Sequence, residues 1–195
     1  VRQIWAAADL RPHRLNTFKI STDPAFSDKV IDIVGLYMNP PENAIVLSVD
    51  EKTQIQALDR TQPGLPLNPS RIGSRTHDYK RHGTTSLYAA FNTLTGKVIG
   101  KVADKTNSKE FLSFLKLVDR RTNSEKDLHI ILDNLSAHKT KDVRDWVDAH
   151  PRIHLHFTPT SSSWLNAVEG WFAQLERRAL YRGVFTSVSE LKVEL

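Results

Sequence analysis

The chain has no cysteine, so neither a disulfide framework nor a cysteine-based zinc site can hold it together, and a reducing compartment suits it. It also lacks any run of about 18 apolar residues, which excludes a membrane-spanning helix of ordinary length. The opening residues, "VRQIWAAADLRPHR", do not follow the pattern of a signal peptide. No internal repeat or low-complexity tract is visible. Acidic charge is not in excess: 27 Lys and Arg face 22 Asp and Glu, a net +5. That balance is compatible with a polyanionic partner but too common to require one. What remains is 195 residues, enough for one medium-sized domain with its own core. A start on Val1 and a stop inside "SVSELKVEL" lead us to expect a piece trimmed from something longer.

The pattern of apolar residues alternates between two periods. "VRQIWAAADL" and "DPAFSDKVIDIVGLYMNPP" have helical spacing, the second closed by Asn39, Pro40 and Pro41. "AIVLSVDE" (44–51) is nearly continuous in apolar residues, as in a strand buried on both faces. Residues 59–85 read as a long Pro-, Gly- and Arg-rich loop, a length that in a compact domain is usually functional or mobile. "SLYAAFNTLTGKVIGKVAD" predicts an antiparallel hairpin turning at Thr95-Gly96, and Ser108 is placed to cap the helix "KEFLSFLKLVDRR". "LHIILDN" reads as a second central strand, "TKDVRDWVDAH" as a helix stopped by Pro151, and "IHLHFTP" as a half-buried strand. A closing helix is expected from Trp164 to Leu180. Helices interleaved with strands after an initial meander predict an α/β fold: a mixed sheet of about five strands with helices on both faces.

Both central strands end in an aspartate, Asp50 and Asp133. Sites in open α/β sheets gather at the carboxyl ends of strands, and an ionised Asp is rarely buried unless paired or metal-bound. Either one alone could simply start a turn where its strand meets solvent. Two on adjacent strands point to function. On a helical wheel Trp164, Val168, Trp171, Phe172, Leu175 and Ala179 share one face, and Glu169 lies off it beside Asn166 and Ala173. A solvated face would explain that, but the short "TPTSSS" connection returns the first helical turn over the sheet end, toward the aspartates. Two carboxylates about 5 Å apart at an effective dielectric near 20 repel by roughly 3 kcal/mol. Three converging acids therefore ask for hard cations, and Mg²⁺ typically takes few protein carboxylates together with water and phosphate oxygens.

Four ordered stretches, "VLSVDEKTQIQALDRTQPG", "HDYKRHGTTSLYAAFN", "ILDNLSAHKT" and "HFTPTSSSWLNAVEGWF", together resemble the catalytic domain of DDE transposases, in the bacterial insertion-sequence branch of the mariner superfamily. The 35 residues between Asp133 and Glu169 fit that pattern; the 82 between Asp50 and Asp133 are less diagnostic. The resemblance implies an RNase H-like fold over residues 41–195, with 59–85 as a basic insertion. Residues 1–40 would then be the tail of an N-terminal DNA-binding region with linker helices. It implies Asp50, Asp133 and Glu169 as a catalytic, metal-binding triad for Mg²⁺ (Mn²⁺ substituting), two ions per site. It further implies double-stranded DNA as partner, both transposon ends and target, a possible homodimer in the synaptic complex, no membrane, and a bacterial cytoplasmic location. The implied activity is metal-dependent strand cleavage followed by strand transfer. The alternatives are another RNase H-like nuclease, or a non-catalytic DNA-binding or assembly module descended from a transposase; the intact triad speaks against the latter.

Around this triad the sequence nominates further positions. Asn134 and His138 match the family pattern just past the second strand and could order a metal-bound water or touch a phosphate. Asn166, one turn before Glu169, could orient that carboxylate. Glu51 points to the opposite sheet face from Asp50 and is read as a structural or loop contact. Arg60, Arg71, Arg75, Lys80 and Arg81 in the loop, and Arg177, Arg178 and Arg182 on the last helix, are candidate DNA or partner contacts. His129, His154 and His156 lack ligand spacing and are assigned no metal. Replacing Asp133 by Asn is expected to abolish cleavage while leaving the metal-free fold as stable or slightly more so.

Overall fold

Valine- and isoleucine-rich runs that must be covered on both faces form the centre of a five-stranded sheet in the computed structural model, which describes residues 21–61, 78–181 and 183–195. The strands are β1 (Ala44–Arg60), β2 (Tyr79–Asn92), β3 (Val98–Ala103), β4 (Asp127–Leu132) and β5 (Ile153–Phe157), ordered β3-β2-β1-β4-β5. The meander β1, β2, β3 is antiparallel, whereas β4 and β5 run parallel to β1. The expected hairpin is present. Asn92 accepts hydrogen bonds from the backbone N–H groups of Leu94 and Thr95, and Gly96 supplies a positive φ of 70°.

Helices cover both faces, as the interleaved periods require. On one side α2 (Ser108–Arg121) and α3 (Lys141–Asp148) bury Phe111, Phe114, Leu115, Val118 and Val143 against Leu47, Val49, Tyr88 and Ile130. On the other lie α1 (Phe26–Met38), α4 (Val168–Leu175) and α5 (Val188–Glu194). Here Ile33 and Leu36 pack on Val46 and Ile131, while Val168, Phe172 and Leu191 pack on Ile55, Ala57, Leu87 and Ala89. The cap of α2 is Asn107 rather than Ser108: its extended backbone lets the side chain accept from Glu110 N at 3.0 Å.

Three elements differ from expectation. β1 does not stop near residue 51 but continues to Arg60, because β2 begins at Tyr79 and pairs with it as far as Arg60↔Tyr79. The stretch read as a loop over 59–85 is therefore strand at both ends. Register shifts interrupt this ladder, one at Gln54 with φ 54°. The extra residue exchanges the faces, so that even positions (Ser48, Asp50) before it and odd ones (Ile55, Ala57) after it serve the same side. The closing helix is broken: a 3₁₀ turn (Ser163–Leu165) precedes α4, and a π-helical turn (Glu176–Leu180) follows it. Trp164 thus falls outside the packing face and is 68% exposed.

Candidate active site

Parallel pairing of β1 with β4 runs from Ala44↔Asp127 to Ser48↔Ile131. Carrying that register two residues further places Asp133 opposite Asp50. The two acids share a sheet level because both follow the same in-register strand pair, although only β4 ends there. Asp50 lies inside the longer β1, opposite Ala89 of β2. Alternation gives it the face that carries α1 and α4, where Glu169 occupies the first turn of α4.

Burial dominates the state of Asp50. Desolvation raises its carboxyl from the ordinary 3.8 to about 7; a hydrogen bond from Glu51 N at 2.8 Å opposes this, and the charges of Asp133, Glu51 and Glu169 add to it. The charges of both Asp133 and Glu169 therefore act on the Asp50 carboxylate. Glu169 itself is exposed, and its N–H is bonded to Asn166 O at 3.1 Å. Asp133 is held in the opposite manner. The His138 hydrogen bond lowers its pKa most, and burial opposes it only partly. Its Oδ1 also accepts from Leu135 N at 3.1 Å.

The supporting residues occupy positions that the sequence only partly foretold. Asn166 is fully buried and serves Asp50 rather than Glu169: its Nδ2 donates to Val49 O at 2.9 Å and to Asp50 Oδ2 at 3.3 Å. The break between the 3₁₀ turn and α4 is what turns this side chain into the sheet. Its Oδ1 is buried with no hydrogen-bond partner among the described residues. Tyr37 of α1 fixes the same turn. Its hydroxyl lies 2.6 Å from Ser48 Oγ, donates to Leu165 O at 3.1 Å and accepts from Ala167 N at 3.3 Å. Nothing in the sequence marked Tyr37 beyond its place on a helix.

His138 is not free to meet a phosphate. It is buried against the Phe111 ring, with Nδ1 3.0 Å from Asp133 Oδ1 and Nε2 3.2 Å from Glu51 Oε2. Burial alone would lower its pKa, but the bonds to Asp133 and Glu51 prevail and push it up to about 9. Asn134 accepts from Lys139 through its Oδ1. Arg60, Lys80 and Arg81 stand on the paired extension of β1 and β2, where Arg81 reaches the Tyr79 hydroxyl at 3.1 Å. Arg177 and Arg178 are exposed on the π-helical turn. Arg71, Arg75 and Arg182 lie outside the described residues. On the face bearing α1, His129 Nδ1 lies 3.0 Å from His156 Nε2, and His156 Nδ1 lies 2.7 Å from Asp32.

The donor chemistry of the three acids suits a hard divalent cation, since all are carboxylates and the neighbouring imidazole is engaged on both nitrogens. Among the described residues no three His, Cys, Asp or Glu side chains lie closely enough to enclose a metal. An Mg²⁺-type site does not need such a cage, because water and phosphate oxygens complete its shell. Asp50 and Asp133, with Glu169 at the rim, fit that incomplete protein share.

The sequence profile of the DDE superfamily endonuclease family matches residues 46–192, a span that includes all three acids. Over 83 residues, 43% of this chain, the sequence is 30% identical to the insertion element IS630 uncharacterized 39 kDa protein of Shigella sonnei. The match spans 24% of that relative's length. In fold, the chain is similar to the Mos1 Strand Transfer Complex crystal structure (TM-score 0.65, 14% identity, 98% of this chain and 60% of that one). It is equally similar to the mariner Mos1 paired end complex with Mg (TM-score 0.64, 15% identity, 98% and 60%). At such identities the likeness is one of fold, and that fold is the RNase H-like sheet described above. Since the family profile covers most of the chain and both sheet aspartates and the helix-borne glutamate fall within it, the chain belongs to the DDE superfamily endonucleases.

Proposed function

We propose that the chain is the catalytic part of a transposase that cuts DNA strands at transposon ends and joins them to target DNA. The observation that carries this reading is the electrostatic convergence of Asp133 and Glu169 on a half-buried Asp50, inside a family of endonucleases. Membership of that family implies a divalent metal. The finer reading is Mg²⁺, with Mn²⁺ as substitute and two ions held by Asp50, Asp133 and Glu169; the Mos1 fold relative in complex with Mg supports it. Bound there, such a pair supplies activation of an attacking oxygen and stabilisation of the leaving one.

The protein's own share is to hold the ligands rigid. Glu51 N and Asn166 Nδ2 each take one oxygen of Asp50, which fixes the plane of that carboxylate in a desolvated site. Leu135 N and His138 restrain Asp133 at Oδ1 and leave its other oxygen for ligation. Glu169, mounted on a helix whose neighbouring face packs through Val168 and Phe172, approaches from solvent, the side from which a phosphodiester must come. Double-stranded DNA is the proposed partner. Arg60, Lys80 and Arg81 on the strand extension, and Arg177 and Arg178 on the π-helical turn, are proposed as backbone contacts with DNA or with a second copy in a synaptic homodimer. Residues 1–40 are proposed as the tail of an N-terminal DNA-binding region with its linker helices, and the proposed site of action is bacterial cytoplasmic DNA.

Strand transfer separates this reading from that of a plain nuclease. A pre-cleaved oligonucleotide with a free 3′-OH, incubated with plasmid and Mn²⁺, is expected to become covalently joined to it by the wild type and not by Asp50→Asn. Cleavage without any joining would favour a nuclease instead.

A further inference from the structure

Glu51 follows Asp50 along β1, so the pleat turns it to the other face of the sheet, beside the core built on Leu47, Val49, Tyr88 and Phe111. Its side chain is only 8% exposed. A carboxylate so placed is costly unless it is paired, and its partner is His138 Nε2 at 3.2 Å. The far side of the same ring meets Asp133, with Nδ1 3.0 Å from Oδ1 and 3.4 Å from the main-chain oxygen. The ring is 1% exposed and lies 4.1 Å, centroid to centroid, from Phe111, so packing leaves it little room to turn. Oxygens that only accept face both nitrogens, so each nitrogen must present its hydrogen outward. Glu51, His138 and Asp133 thus form one line, buried at its first two members and partly exposed at Asp133, that crosses from one sheet face to the acids on the other.

The geometry points to Glu51 as a positioning residue for the reaction: acting through His138, it fixes which oxygen of Asp133 is tied back and which is left for the metal. A second layer of hydrogen bonds commonly orients ligating groups in this way, and its loss typically weakens metal affinity ten- to a hundredfold. The inference rests on Asp133 being a metal ligand, as proposed above.

The test is binding of Mn²⁺ alone to the whole chain, followed by electron paramagnetic resonance, with the melting temperature of each variant measured alongside. Glu51→Leu is expected to weaken Mn²⁺ binding about tenfold. Glu51→Gln keeps an oxygen that accepts from Nε2–H and should recover most of it. Glu51→Asp, one methylene short of His138, should fall between the two and serves if the leucine variant does not fold. His138→Phe should weaken binding as Glu51→Leu does, and the double variant should be no weaker than His138→Phe alone. A Glu51 that merely supports the fold would lower the melting temperature and leave Mn²⁺ affinity unchanged. That result, or losses that add in the double variant, would overturn the inference. Asp133→Ala is the reference: wild-type affinity there would overturn the metal site and this inference together. Loss in Asp133→Ala without loss in Glu51→Leu would overturn the inference alone.

Discussion

Asp50 and Asp133 are the same residue type one strand apart, yet the fold treats their charges in opposite ways. Burial makes Asp50 hold its proton to about pH 7, while His138 favours the ionised form of Asp133. Relief of acid repulsion is therefore to be looked for at Asp50, not at Asp133 as the sequence led us to expect. A carboxyl whose pKa is raised on folding contributes stability that is complete below the unfolded value of 3.8 and lost as pH rises through about 7. Urea unfolding of the metal-free protein should thus show stability falling between about pH 4 and 7, by something on the order of 2–4 kcal/mol. In Asp50→Asn that slope should flatten, and at pH 8 the variant should be more stable than the wild type. Asp133→Asn should behave in reverse, costing about 1–3 kcal/mol at neutral pH because it removes a charged partner from a buried imidazole. The His138 contribution, with a pKa raised to about 9, is present in full below about 6.5 and is lost as pH passes 9.

Among the elements, α1 and the broken closing helix do most to build the site. Tyr37 ties α1 to Ser48 of β1 and to the turn that carries Leu165 and Ala167, one turn before Glu169. Tyr37→Phe keeps the ring and removes the hydroxyl, so chemical unfolding should show a loss of about 1–3 kcal/mol. Cleavage should fall further than that loss explains, because Asn166 and Glu169 share the freed turn. The fold class, the five strands and the hairpin were legible in the sequence, because each left a local period, and the candidate acids drew notice as interruptions of apolar runs. Asp50 and Asp133 announced themselves as charges ending buried stretches. The true length of β1 was not legible, since its second half, Lys52 to Arg60, is polar and pairs across a register shift with a partner many residues away. The link from Glu51 through His138 to Asp133 spans 87 and 5 residues of sequence separation, and no periodicity reports such a contact. Asn166 was read as orienting Glu169 but bonds to Asp50 instead, because a continuous helix was assumed where the chain in fact breaks.

For the molecule as a whole, the sheet is one continuous body and α1 is part of its cover. Ile33 is fully buried and packs with Leu36 against Val46 and Ile131. A chain beginning at residue 40 would expose that surface and lose the Tyr37 staple. It is expected to be less soluble and to melt well below the 195-residue chain, as measured by calorimetry; equal melting would show that α1 is dispensable. If DNA is the partner, as proposed, contacts from the exposed Arg177 and Arg178 make its binding weaken steeply with salt in a titration. The account stands or falls, however, on the convergence of three acids. Its most direct test is nicking of a supercoiled plasmid with Mg²⁺ or Mn²⁺ by the wild type beside Glu169→Gln. Metal-dependent nicking that disappears in the variant is the predicted result. Equal nicking by both proteins would make Glu169 an ordinary surface residue on a packing helix and contradict the site.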